Sequence, residues 1–261
     1  MMAKVIQRLS LLACALLVVG CVSTSSSVMD QKKDLRKAEL TYVQIGYSHI
    51  KEGNYQSAKR PFERALEINK NSAGAFMGLA IVYAYEDEPE LAEKNFGLAI
   101  RYDESPESRF QYAVWRYNVG DYDQAHEEFT QVVVDPTYAK RAQAYDILGL
   151  LELRLNKPDE AIKSFRKAIT LSRQFASAYL NLSNAYMTID DPVMAYDAYN
   201  GFTNLVRIGL ANHSASTLWL GTQLAQLNAD RGAVAVLSGQ LIEKFPNSKE
   251  AEAYKAWKET L

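Results

Sequence analysis

The chain is poor in the residues that carry chemistry. It has two cysteines and three histidines in 261 residues. His49, His126 and His213 each lack a second histidine or a cysteine at ligand spacing, which excludes a metal site of the usual kind. There is no Gly-x-Ser-x-Gly elbow and no glycine loop of the sort that cradles phosphate. Acid pairs such as Glu127-Glu128 and Asp190-Asp191 fall on helix flanks or turns, where solvated charge is the ordinary explanation. No catalytic constellation emerges, so the chain is expected not to be an enzyme and to use no cofactor or small-molecule substrate. A net charge of −2 supplies no basic field for nucleic acid. Strand patterning is scarce as well, because no run alternates with period two for long.

What is present is a recurrence. An alanine stands at 58, 92, 125, 161 and 195, at intervals close to 34 residues. Four residues later comes a ring: Phe62, Phe96, Phe129, Phe165 and Tyr199. Twelve residues before the alanine stands a small residue: Gly46, Ala80, Ala113, Gly149 and Ser183. Pro89, Pro158 and Pro192 lie three residues before it, where proline is tolerated in a first helical turn. This register resembles the tetratricopeptide repeat (TPR), in which small residues let two antiparallel helices approach and the ring fills the gap to the next pair. The expected fold is all-α: a right-handed superhelix of about six helix-turn-helix repeats with a C-terminal capping helix. In the looser sixth unit Gly221 takes the small slot, and Ala233, Val234 or Ala235 the alanine slot. An insertion or an extended helix is expected between Gly201 and Ser216. Lys249 to Glu259, bearing Ala251, Tyr254 and Trp257, closes the array.

The front of the chain reads as an address. Lys4 and Arg8 precede an apolar stretch, Leu9–Val19, too short to span a bilayer comfortably. Leu17-Val18-Val19-Gly20-Cys21 resembles a bacterial lipobox, although Val18 stands where leucine is usual. Residues 1–20 are thus expected to be a signal peptide and Cys21 the lipidated first residue. Cys14 leaves with the signal, so no free thiol or disulfide remains in the oxidising periplasm. Several acyl chains hold a protein firmly to a membrane, and palmitate is among them. Val22, rather than aspartate, after the cysteine favours the outer membrane. Residues 21–33, rich in serine, read as a flexible tether, and 34–261 as the repeat domain.

Counting from the small residue picks the side chains expected to line the concave side. They are Val43, Tyr47 and Ile50; Met77, Ile81 and Ala84, with Tyr85 beside them; and Phe110, Val114 and Tyr117. Repeat four adds Asp146, Leu150 and Leu153, and repeat five Leu180, Asn184 and Met187. The first three repeats would form an almost unbroken apolar and aromatic strip, which a soluble protein rarely exposes without a partner. Asn181 and Asn184 are placed to hold a peptide backbone through their amides. Lys51 and Arg154 are the basic residues nearby and are not clustered, so a clamp for a terminal carboxylate is excluded.

Lipobox, tether, six repeats and closing helix together resemble the type IV pilus biogenesis lipoproteins of the PilF/PilW family. The stretches that carry the likeness are Tyr47–Asn69, Ala142–Leu171 and Ser214–Pro246. The resemblance implies a pilotin, which binds the secretin subunit in the periplasm and promotes its multimerisation in the outer membrane. The alternative is a generic TPR scaffold lipoprotein that organises cell-envelope enzymes.

Overall fold

The computed structural model describes residues 28–259, and among these the regular elements are thirteen helices and no strand. They fall into two compact units that divide between Val82 and Tyr83. The first holds α1 (Val28–Lys51), α2 (Tyr55–Ile68) and most of α3 (Ala73–Tyr85). The second holds the end of α3 and ten further helices. These are α4 (Pro89–Tyr102), α5 (Pro106–Asn118), α6 (Tyr122–Val134), α7 (Arg141–Arg154), α8 (Pro158–Leu171), α9 (Ala176–Thr188), α10 (Pro192–Arg207), α11 (Ala215–Leu227), α12 (Arg231–Lys244) and α13 (Lys249–Lys258).

One turn closes every hairpin. Two residues before each second helix the backbone is left-handed, at Gly53, Asp87, Gly120, Asn156, Asp190 and Ala229, with φ between 56° and 84°. The next residue donates its N–H to a carbonyl five positions back, as from Asn54 to His49 and from Lys157 to Glu152. That bond satisfies one of the carbonyls a helix end leaves orphaned. The four helices α4, α5, α8 and α10 start on proline, whose missing N–H costs nothing in a first turn.

The repeat register builds the interior. All five alanines are fully buried, and the five rings are at most 1% exposed. The small slot is a steric requirement. A Cβ on Gly46 would lie 2.5 Å from the Phe62 ring, and one on Gly149 would lie 2.6 Å from the Phe165 ring. Ser183 uses its slot differently, donating its hydroxyl to the Ala195 carbonyl across the hairpin at 2.8 Å.

Two expectations need correction. Helix α1 begins at Val28, so Val28–Lys33 belong to a helix and not to a flexible tether. In the sixth unit Thr222, not Gly221, holds the small slot, nine residues before the start of α12. It is fully buried and bonded to the Leu218 carbonyl. Gly221 instead leaves room for the Tyr199 ring of the preceding unit. Val234 takes the alanine slot, its N–H bonded to Asp230 as Ala195 is to Asp191. The ring slot then falls on Ser238, and the missing ring is answered by α13. There Tyr254 and Trp257 close on Trp219 with centroids 6.0–6.4 Å apart. The irregular stretch after Gly201 is both an extended helix, α10, and a short loop, 208–214. The signal peptide and Cys21 lie outside the described residues.

Candidate functional site

In the first unit the expected strip residues sit where two first helices meet. Val43, Tyr47, Ile50 and Ile81 are half-buried. Tyr47 lies edge-on to Phe62 at 5.3 Å and its hydroxyl donates to the Gly74 carbonyl at 3.3 Å. Gly74 is bare because Val43 occupies the adjoining space. Met77 departs from expectation. At 6% exposure it belongs to the core, because the small neighbours Gly74 and Gly78 let the helices close over it.

In the second unit Tyr85 is 66% exposed, Asn184 is exposed, and Val114, Tyr117 and Leu150 are half-buried. Phe110 is the second departure. It is 5% exposed, edge-on to Phe129 at 5.7 Å and tilted against Tyr138 at 6.0 Å. A ring wedged between helices fills the interior and lines no surface. Asn181 is also committed elsewhere, since its amide donates to Asp146 at 2.9 Å. Of the two asparagines, Asn184 alone is left outward for a peptide backbone.

Asp146 explains that diversion. It is a buried carboxylate held by Asn181 and by Ser177, at 2.9 Å each. Burial pushes its carboxyl above the usual range, and the two hydrogen bonds only partly offset this. Glu152 is likewise buried and raised, chiefly by desolvation, with His126 at 3.7 Å. His126 is itself lowered, by burial and then by Lys157, as a histidine packed between helices is. His213 is lowered by burial and packs edge-on to Phe202. Among the described residues no cluster of three or more His, Cys, Asp or Glu is arranged to hold a metal ion.

Spacing alone did not reveal the charged clamps. Arg154 lies over Tyr117 and Tyr122 at 5.5 and 5.4 Å and donates to both hydroxyls, at 3.0 and 3.3 Å. Arg116 bridges Glu93 at 2.6 Å and Asp121 at 2.8 Å. Burial, and then Glu93, pushes the adjoining Tyr112 hydroxyl up to about 12. One signal was available for Asp146: it stands in a slot that is apolar in the other four repeats, occupied there by Val43, Met77, Phe110 and Leu180.

Each unit also carries an open cleft. Tyr42, Ile45, Arg60, Pro61, Arg64 and Ile68 line one of about 440 Å³ in the first. In the second, Arg166, Ile169, Tyr179, Tyr186 and Met194 line one of about 470 Å³. Gly201 is bare there because the Tyr179 ring occupies the space that a Cβ would take. No residue of the expected strip lines either cleft.

Comparison with known proteins agrees with this architecture. Tetratricopeptide-repeat models match residues 40–72, 116–178 and 148–199. The type IV pilus assembly protein PilF of Pseudomonas aeruginosa is 30% identical over 244 residues, covering 92% of this chain and 94% of that protein. The solved structure of Pseudomonas aeruginosa PilF superposes with a TM-score of 0.71 at 29% identity, over 85% of this chain and 99% of the other. PilW, a widely conserved type IV pilus biogenesis factor, superposes at 0.67 and 20% identity, over 83% and 97%, which speaks to fold alone. With near full-length coverage and the same repeat architecture, the chain belongs to the PilF family of type IV pilus tetratricopeptide-repeat proteins.

Proposed function

We propose that the protein is a pilotin-type outer-membrane lipoprotein, anchored through Cys21, that binds secretin subunits and promotes their multimerisation in type IV pilus biogenesis. The observation that carries the reading is the near full-length match to a type IV pilus assembly protein. Physical argument supports it. A secretin subunit has apolar surface to hide before assembly, and half-buried or exposed side chains such as Tyr85, Val114 and Tyr117 offer it cover. The acyl chains at Cys21 then bring carrier and cargo to one membrane. The protein does no chemistry in this scheme; it acts by binding. In a strain lacking it, heat-resistant secretin multimers fall sharply while monomer persists. Normal multimer levels in the outer membrane would contradict the pilotin role and favour a generic envelope scaffold.

A further inference from the structure

Helix α1 is longer than its hairpin needs. It has 24 residues, against 14 in α2. Counted back from the turn at Gly53, residues 38–51 run beside α2, and residues 28–37 overhang it by about 15 Å. Every described side chain from Met29 to Lys37 is exposed. The overhang is therefore an arm with a face that, among the described residues, is open to solvent.

The chemistry of that face is specific. At about 100° per residue, Met29, Lys33, Arg36 and Leu40 form one stripe, with Lys32 and Lys37 on its flanks. Asp34 falls outside it, and Asp30 and Glu39 lie at its two edges. Met29 is 77% and Leu40 50% exposed. The surrounding region shares this bias. Residues 28–82 hold nine Lys and Arg against six Asp and Glu, whereas residues 83–261 hold 18 against 25. The excess of positive charge therefore lies in the part of the chain next to Cys21. Six residues separate Cys21 from Val28, and the seven steps between the two span at most about 24 Å.

We infer that the arm lies on the anionic surface of the membrane that holds the lipid, with Lys33 and Arg36 against phosphate headgroups and Met29 and Leu40 inserted between them. Basic groups near such a surface and apolar groups in its interface both favour the bound state. The inference rests on the anchoring of Cys21 proposed above. An arm bound along its length fixes where the first repeat stands above the membrane, which a lipid on an unstructured leader would not do.

The test uses the native lipidated chain, extracted from the envelope and reconstituted into vesicles. One set is phosphatidylcholine alone and the other contains phosphatidylglycerol. The thioether to the lipid blocks the thiol of Cys21, so Met29→Cys, Leu40→Cys or Val236→Cys accepts an environment-sensitive dye at one position. The dyes at 29 and 40 should shift to the blue only with phosphatidylglycerol. High salt and the double change Lys33→Glu, Arg36→Glu should each abolish the shift, and the dye at 236 should not respond. Palmitate-labelled, vesicle-bound protein whose dyes at 29 and 40 stay water-like overturns this inference and leaves the anchor intact. A blue shift that instead follows protein concentration in detergent also overturns it, since a second copy would then cover the arm. Absence of palmitate defeats the anchor first and the arm with it.

Discussion

The first hairpin and the last unit meet the same problem and resolve it differently. Each ends a run of repeats, and each has an apolar face with no further repeat to cover it. In the last unit Trp219 is half-buried, and α13 folds Tyr254 and Trp257 against it. In the first, Tyr42 and Ile45 stay 37% and 41% exposed beside an open cleft, and α1 runs on past its partner. Repeat packing does not seal an end by itself; closing one takes an added element. At the first hairpin no such element stands among the described residues, and the face keeps Tyr42 and Ile45 exposed.

The contrast can be broken by cutting into what the two regions share. Phe165→Ala empties a slot walled by Gly149 and should cost about 3–5 kcal/mol. Chemical denaturation measures it, and a loss under 1 kcal/mol would mean that the ring is not the keystone of its repeat. At the level of the ends, Trp219→Ala should cost about 2–4 kcal/mol through the aromatic cluster. Tyr42→Ala should cost less than about 1 kcal/mol, because that ring already faces water. Equal losses in thermal melts would erase the distinction between a closed and an open end.

Two smaller effects sharpen the picture. The Asp146 carboxyl is raised by burial, so its contribution to stability is fully present below the unfolded value of about 3.9 and is lost as pH rises through the folded value. Asp146→Asn should therefore gain on the parent protein as pH goes from about 4 to 7, and denaturation at several pH values reads the slope. A flat difference would show that the acid is not desolvated. Smallest of all, Ala229 sits at φ 56° in the turn that uses glycine at 53 and 120. Ala229→Gly should stabilise by about 0.5 kcal/mol, the relief of left-handed strain slightly exceeding the entropy of glycine. Gly120→Ala should run the other way.

The proposed anchor concerns the segment that precedes the first hairpin. Cys21→Ser should leave an unprocessed or soluble precursor, because no thiol remains to accept the lipid. Radiolabelled palmitate on that variant would rule out Cys21 as its site.

The sequence alone determined the repeat: its period, the alanine, ring and small slots of the first five units, the helix-turn-helix pairs and the closing helix. Each of these is enforced by a contact within about 35 residues, so its residues recur at fixed offsets and periodicity exposes them. Tertiary structure alone decided which members of the concave strip keep a surface. Met77 and Phe110 share a register with Ile81 and Val114, yet they are buried while the latter pair are partly open. The reason is local closure, set by Gly74 and Gly78 beside one and by Phe129 and Tyr138 beside the other. Asn181 shows the same for polarity: its amide serves Asp146 because burying a carboxylate without donors costs more than a free amide gains. Helix register says which way a side chain points. Whether anything already stands there depends on neighbours that the register does not contain.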